Sequence, residues 1–183
     1  MKDSEKRSVF YYELLGMTLI IILGSLLHFS FEWSNYNSLI GVFSAVNESV
    51  WEHLKLGFWP TLLYAIIEYR FVKKYANNFW LGKAACVSVI PVVIVITFYS
   101  YTAFLEESLL IDILTFMIAI IIGQLVSYKL LINRRLSEKF TIISLVVLAI
   151  WSLIFIVFTF YPPHIPIFQD PVTGGYGVII HSH

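Results

Sequence analysis

Charge and cysteine are both scarce in this 183-residue sequence. Only 13% of the residues are charged, whereas a soluble domain carries about 25%, and 58% are hydrophobic. The single cysteine, Cys86, cannot form an internal disulfide, so a disulfide-stabilised scaffold is excluded. Because Cys86 lies within an apolar run, we interpret it as a small buried side chain rather than a reactive thiol.

Common functional motifs are also missing. The sequence contains no G-x-G-x-x-G, P-loop, C-x-x-C or H-E-x-x-H motif, and nothing in it indicates a nucleic-acid-binding module. The first apolar run ends at Phe31-Glu32-Trp33 rather than at a small-residue cleavage site. We therefore interpret this run as a retained helix and not as a signal peptide.

Five apolar stretches are long enough to cross a bilayer as helices, which takes about 20 residues each. They cover residues 10–30, 50–71, 79–104, 108–131 and 140–161. The sequence therefore predicts an all-α integral membrane protein with one domain. We expect a bundle of five transmembrane helices, followed by an ordered, non-helical tail over residues 162–183.

The basic residues predict how the chain is oriented in the membrane. All but Lys55 fall into three patches: Lys2, Lys6 and Arg7; Arg70, Lys73, Lys74 and Lys83; and Lys129, Arg134, Arg135 and Lys139. Lys and Arg concentrate in cytoplasmic loops. We therefore expect a plasma-membrane protein with a cytoplasmic N-terminus and an extracellular C-terminus.

The opposite, extracellular side collects the histidines and most of the acidic residues. These are His28, His53, His164, His181, His183, Glu32, Glu48, Glu52, Glu106, Glu107, Asp112 and Asp170. One explanation is functional, since an acidic face attracts cations. The other is that acidic residues remain on this side simply because the basic residues concentrate on the cytoplasmic side. We assign no role to the two terminal histidines.

The segment from residue 28 to residue 55 holds most of the candidate site residues. His28 and Glu32 are four residues apart and share one helix face. Ser49-x-x-Glu52 reads as a capping box, and acids in a first turn also suit the helix dipole. This structural explanation covers Glu48 and Glu52, with Asn47 as a competing N-cap.

Capping does not explain His53 and Lys55, which lie deeper in the second predicted helix. An ionisable side chain within the hydrocarbon is costly and is a functional candidate. For Lys55 the sequence leaves two alternatives open. It pairs with Glu52, Glu48 or Asp112, or its ammonium group snorkels outward.

The tail is the second informative segment, because prolines, aromatic residues and a Thr-Gly-Gly turn predict ordered structure between residues 161 and 177. We expect it to fold over the extracellular mouth of the bundle. That would bring His164 and Asp170 toward His28 and His53, and Tyr176 is a further candidate in the same segment. The alternative is a tail that only lies at the membrane interface.

These residues meet the ligand count of a site for a divalent metal such as zinc, which needs three or four His, Asp, Glu or Cys ligands. The predicted ligands are His28, His53 and His164, with Glu32, Glu52 or Asp170. The same groups also suit an acid/base site without a metal.

As catalytic residues we predict Glu52 as general acid or base, His53 as general base, Lys55 as electrostatic stabiliser, and Asp170. Secondary site candidates are Asn47, Glu48, Asp112 and Tyr176. Two further membrane acids, Glu13 and Glu68, are expected to pair with Arg70 or the N-terminal lysines. Gln124 is expected to make an interhelical hydrogen bond.

Two stretches of the sequence resemble a known family. The first contains Phe-Glu-Trp-Ser, Asn-Glu-Ser-Val-Trp-Glu-His-Leu-Lys-Leu and Phe-Trp-Pro, between residues 28 and 60. The second is Pro-Pro-His-Ile-Pro-Ile-Phe-Gln-Asp-Pro followed by Val-Thr-Gly-Gly-Tyr-Gly. Over nearly the whole chain the sequence is similar to an uncharacterised family of small bacterial integral membrane proteins, a domain of unknown function. The resemblance implies a bacterial plasma membrane, of the Gram-positive type, and no activity.

Three functions remain open. The first is a membrane-embedded enzyme that activates water and acts on a lipid or a lipid-linked substrate. The second is a protein that binds or transports a cation or an amine, and the third is a non-catalytic interaction or immunity-type protein. A transporter site is expected near the middle of the membrane. The polar residues here crowd one end instead, which favours an enzyme or a receptor.

Overall fold

The computed structural model describes residues 1–178, and within that range the protein is all-α. Its five long helices are α1 (Asp3–Trp33), α3 (Val50–Val72), α4 (Phe79–Thr102), α5 (Leu109–Ile132) and α6 (Glu138–Phe160), and a four-residue helix, α2 (Ser38–Gly41), lies between α1 and α3. The tail contains a 3-10 turn at Pro166–Phe168 and an isolated bridge between Gln169 and Tyr176. His181 and His183 lie outside the described residues.

Among the described residues, four helices, not the predicted five, are long and apolar enough to cross a membrane: α1, α4, α5 and α6. The prediction was wrong for α3, whose apolar character is reduced by the buried residues Glu52, Lys55 and Glu68. More than half of the residues of α3 are buried, because this helix packs between α1 and α4. A helix enclosed by other helices can carry charged side chains that a lipid-facing helix cannot.

Contacts between helix termini show that α4 and α5 run in opposite directions. Near the end of α4, the Tyr101 hydroxyl donates a hydrogen bond to Asp112 at the start of α5, over 2.6 Å. Near the start of α4, the Asn78 side chain donates to the Leu130 carbonyl at the end of α5, over 2.9 Å. We call the end of the bundle with the C-terminus of α1 and the N-terminus of α3 the histidine end, and the opposite end the basic end.

Glycine allows α1 to approach its neighbours closely. A Cβ atom on Gly16 would lie 2.3 Å from Nε2 of Gln124 in α5 and 2.6 Å from a ring carbon of Tyr64 in α3. Small residues at helix contacts are the usual means of close packing within membranes. Any side chain at position 16 would therefore push α1 away from two helices at once.

The tail folds back onto the histidine end. Phe168 is buried, and its ring centroid lies 4.6 Å from that of Trp51 in α3. The Asn47 side chain donates a hydrogen bond to the Gly177 carbonyl over 2.8 Å. Gly177 has a φ of 66°, and a Cβ there would lie 3.2 Å from the Thr159 carbonyl, so the position favours glycine. The tail is thus ordered by contacts with α3 and with the connection that precedes it.

Candidate functional site

Three side chains with metal-ligating atoms converge at the histidine end. They are His28 from α1, Glu48 from the connection before α3, and His53 from α3, and one ligand atom from each lies within 4.8 Å of the other two. The ring centroids of the two histidines are 5.1 Å apart. Both histidines are half-buried and Glu48 is exposed, so the group is open to the exterior. We call this group the triad.

The start of α3 positions two members of the triad. Ser49 is the N-cap, and its hydroxyl accepts a hydrogen bond from the Glu52 amide over 3.4 Å. Glu48 therefore precedes the helix, whereas His53 lies one turn inside it. The expected capping box is only half formed. The Ser49 amide donates to the Asn47 side chain, and the Glu52 carboxylate accepts from the Val46 amide.

The backbone fixes the protonation of the His53 ring. Its Nδ1 lies 2.9 Å from the Ser49 carbonyl, and since a carbonyl can only accept, Nδ1 carries a hydrogen. Nε2 then faces Oε2 of Glu48 at 3.4 Å. Metal-bound histidines use this same arrangement, in which a hydrogen bond from one ring nitrogen directs the lone pair of the other. Nε2 of His53 and Oε2 of Glu48 are then both acceptors, so a proton or a cation between them is needed for a favourable contact.

The ionisation of Glu48 favours a positively charged ligand. The hydrogen bond from His53 lowers the pKa of the Glu48 carboxyl below its usual value, and the positive charges of His53 and His28 act in the same direction. Glu48 is therefore a carboxylate at neutral pH, which is the form that binds metal ions. The Nδ1 atom of His28 is buried and has no hydrogen-bond partner among the described residues, so this ring keeps bonding capacity.

The spacing of the triad can be compared with that of a zinc site. With bonds of about 2.0–2.1 Å in a tetrahedron, two ligand atoms lie about 3.4 Å apart. The distance between Glu48 and His53 already has this value, while the limit of 4.8 Å for the triad leaves at most about 1.4 Å to close on the side of His28. Two histidines and one glutamate are the ligand set of several catalytic zinc sites, in which water takes the fourth position.

Lys55 and Glu52 form a buried ion pair next to the triad. The Lys55 ammonium lies 2.5 Å from the Glu52 carboxylate, and both side chains are almost fully buried. Lys55 also donates to the Gly41 carbonyl and to the Thr159 hydroxyl, each over 2.8 Å. Of the alternatives that the sequence left open, pairing with Glu52 is the one observed, and the ammonium does not snorkel. One N–H of the ammonium pairs with Glu52 within α3, and the other two join α3 to α2 and α6.

The predicted site residues of the tail lie outside the triad. His164 packs against Tyr176, with ring centroids 4.5 Å apart. Asp170 is buried, and its carboxylate accepts hydrogen bonds from the Val172 amide and the Thr173 hydroxyl, over 3.0 and 2.6 Å. Asp170 thus shapes its own turn, and the roles predicted for His164 and Asp170 stay predictions.

Two helix residues from the predicted site also lie apart from the triad. Asp112 accepts the hydrogen bond from Tyr101 and has no contact with Lys55. Glu32 is exposed at the end of α1, and Glu48 stands in the triad where Glu32 was predicted. The signal that could have identified Glu48 is the N-cap. A residue directly before Ser49 lies outside the helix and is free to turn toward His53.

A second ionic cluster lies deeper in the bundle. The Lys83 ammonium is 2.8 Å from Oε1 of Glu13 and 2.6 Å from Oε2 of Glu68, and all three side chains are buried. The predicted pairing of both acids with Arg70 or the N-terminal lysines was therefore wrong. Lys83, which the sequence grouped with loop cations, is an interior residue. The thiol of Cys86 donates to the Gln124 side chain over 3.6 Å, which is the predicted interhelical hydrogen bond.

No curated protein and no solved structure matches the chain significantly. One family does match, described as a family of unknown function (DUF6512), and the match covers residues 1–178. The resemblance to an uncharacterised family is thereby confirmed, and a membrane location agrees with the four apolar helices. The chain belongs to this family of unknown function, DUF6512.

Proposed function

We propose that this membrane protein binds a divalent transition metal, zinc above all, through the triad, and that it is an enzyme that hydrolyses a lipid or a lipid-linked substrate. The observation that carries the proposal is the convergence of two imidazoles and a carboxylate within 4.8 Å. The ring of His53 is already oriented by the Ser49 carbonyl, as a metal ligand would be.

The chemistry assigned to the triad is activation of water. A zinc ion held by three protein ligands lowers the pKa of its bound water to about 7. His28 and His53 would each supply a nitrogen and Glu48 an oxygen. The triad contains no serine, threonine or cysteine, and this agrees with direct attack by water.

The surroundings of the triad support a lipid-like substrate. Trp33, Leu39 and Phe43 are exposed at the histidine end, and Trp33 stacks on Phe29 with ring centroids 5.7 Å apart. Exposed aromatic residues near the ends of spanning helices mark the level of the lipid headgroups. A lipid would therefore present its headgroup, rather than its acyl chain, to the triad.

Capture or transport of a cation is the second candidate. It is favoured by the exposed acids Glu32 and Glu48, since both act electrostatically on the His28 ring. The two functions differ in a simple assay. A transporter moves zinc into sealed proteoliposomes, whereas the proposed enzyme releases a headgroup product without net zinc movement.

The orientation is also proposed: a bacterial plasma membrane, with the N-terminus cytoplasmic and the tail extracellular, because the basic end carries the Lys and Arg loops. The native thiol of Cys86 is fully buried, so we expect no labelling of the wild-type protein. We expect a membrane-impermeant maleimide to label intact cells carrying Ser38→Cys but not those carrying Ser4→Cys. The reverse labelling would refute this orientation.

Metal binding is tested on purified protein in detergent, stripped with a chelator and titrated with zinc. We expect one equivalent to bind, and we expect His28→Ala and His53→Ala to remove it. Glu106→Gln is the matched control, since it removes an exposed carboxylate at the same end of the bundle that lies outside the triad, and it should bind as the wild type does. The proposal fails if both triad variants retain zinc as the wild type does.

Catalysis is tested separately by product release from lipid vesicles, with and without zinc. Glu48→Gln is expected to abolish zinc-dependent release. If zinc binds at the triad and no headgroup or lipid-linked phosphate is released, the metal site stands and the enzymatic function is refuted.

A further inference from the structure

The two buried ionic groups of this protein differ in charge balance. In the first, Lys55 neutralises Glu52, one charge against one. In the second, Lys83 alone faces both Glu13 and Glu68, and each of the three side chains is at most 1% exposed. With every group ionised, the second cluster carries a net charge of −1 in the interior of the bundle. A buried uncompensated charge is strongly unfavourable.

Four helices contribute to this cluster. Glu13 comes from α1, Glu68 from α3, Lys83 from α4, and Ser127 from α5, whose hydroxyl donates to Oε1 of Glu13 over 2.8 Å. The positions lie within about three turns of the helix ends at the basic end. The cluster is therefore part of the membrane domain and is separate from the triad, which lies at the opposite end.

The other titratable groups facing the cluster are Tyr12, Tyr64 and Cys86. The Tyr64 hydroxyl donates to the Tyr12 carbonyl over 2.5 Å, and the Cys86 thiol donates to Gln124. A phenol and a thiol can only lose a proton and add negative charge. The positive charge that would balance the second carboxylate must therefore come from a bound proton or cation.

Unpartnered atoms point to the same conclusion independently of the charge count. Oε2 of Glu13 and Oε1 of Glu68 are buried without a hydrogen-bond partner in the described structure. Nε2 of Gln124, on the helix face that carries Ser127, is likewise buried without one. By contrast, every N–H of the Lys55 ammonium has an acceptor. Two carboxyl groups that share one cation, each with an oxygen that lacks a donor, are a setting in which one of them holds a proton.

We propose that Glu13, Glu68 and Lys83 form a membrane-embedded proton-binding site, which holds one exchangeable proton between the two carboxyl groups. Binding joins a proton to a carboxylate oxygen and gives a neutral carboxylic acid, and release returns it to solvent water. The protonated cluster has no net charge, and its new O–H can serve one of the unpartnered oxygens. Buried ionisable groups of this kind mark proton pathways in membrane proteins.

The test is infrared spectroscopy of the full chain in lipid vesicles, recorded across neutral pH in water and in deuterium oxide. The wild type should show a carboxylic-acid C=O band that shifts on deuteration and decreases as the pH rises. Glu68→Gln and Glu13→Gln should each remove the band, because the one remaining carboxylate is then balanced by Lys83. Asp112→Asn is the matched control and should leave the band unchanged.

The wild-type spectrum alone can refute the proposal, even if a variant does not fold. A spectrum with no carboxylic-acid band on either side of neutrality would overturn it. So would a band that persists unchanged in Glu68→Gln and Glu13→Gln. Sodium-dependent thermal stabilisation that both variants abolish, without such a band, would assign the site to a metal cation and not to a proton.

Discussion

Removing the Lys55 ammonium should destabilise the protein more than any other single change at the histidine end. Lys55→Met keeps the length and the apolar stem of the side chain but deletes its charge. Glu52 then keeps only the Val46 amide as a donor, at 3.1 Å, in a position where it is 2% exposed. The Gly41 carbonyl and the Thr159 hydroxyl each lose a donor in the same step.

The expected magnitude follows from these contacts. Breaking a buried ion pair by deleting one partner reduces the free energy of unfolding by about 3–5 kcal/mol. Loss of the donor to Gly41 adds about 1 kcal/mol at most, and Thr159 keeps its own bond to the Phe155 carbonyl. The total is a large share of the roughly 5–15 kcal/mol that stabilises a typical domain.

The double variant Glu52→Gln/Lys55→Met tests the reasoning, because it removes both charges together. We expect it to recover most of the stability lost in Lys55→Met, since a neutral pair of similar volume carries no unpaired charge. The measurement is reversible unfolding by a denaturing detergent, analysed as a double-mutant cycle with Glu52→Gln. A loss below about 1 kcal/mol in Lys55→Met, or no recovery in the double variant, would refute the buried pair.

Three smaller predictions follow from other contacts. Glu48→Gln should lower stability by less than about 1 kcal/mol at neutral pH, because Glu48 is exposed. Its folded pKa is depressed, so the difference from wild type should vanish as the pH falls through that pKa, as measured by unfolding in chelator. Asn47→Ala removes the bond to Gly177 and should speed proteolysis of the tail, while Asn77→Ala should not. Gly16→Leu should prevent close packing of α1 and lower the melting temperature far more than Ser25→Leu on an exposed face.

Sequence patterns predicted long helices well, because length and apolar composition are properties of each segment alone. They placed α3 at nearly the observed bounds but were wrong to class it with the spanning helices. Glu52, Lys55 and Glu68 reduce its apolar character, and all three are buried against neighbouring helices. The same helix exposes Leu63 and Ile67 on another face. Counting apolar residues does not show which face of a helix its neighbours cover.

The site was predicted in part, for a similar reason. His28 and His53 were predicted to be neighbours, and their rings are adjacent, because they lie near the two ends of the connection between α1 and α3. Whether Glu48 joins the two histidines depends on the residue at which α3 begins. Because Ser49 and not Asn47 is the N-cap, Glu48 lies just before the helix, beside His53. The pairing of Lys83 with Glu13 depends on helix rotation, which the sequence does not reveal.

The three polar groups of the protein should respond differently to substitution, because burial and charge balance differ among them. The Glu52–Lys55 pair is buried, neutral and fully bonded, so its loss should appear in stability first. The triad is open at Glu48, and Nδ1 of His28 has no partner among the described residues, so loss of the triad should appear in metal binding at little cost in stability. The Glu13–Glu68–Lys83 cluster is buried and is neutral only while it holds a proton, so neutralising one of its acids should remove proton binding at little cost in stability. A Glu68→Gln variant that is markedly less stable than wild type would show that both carboxylates are needed to hold Lys83, and the argument from charge balance would then fail.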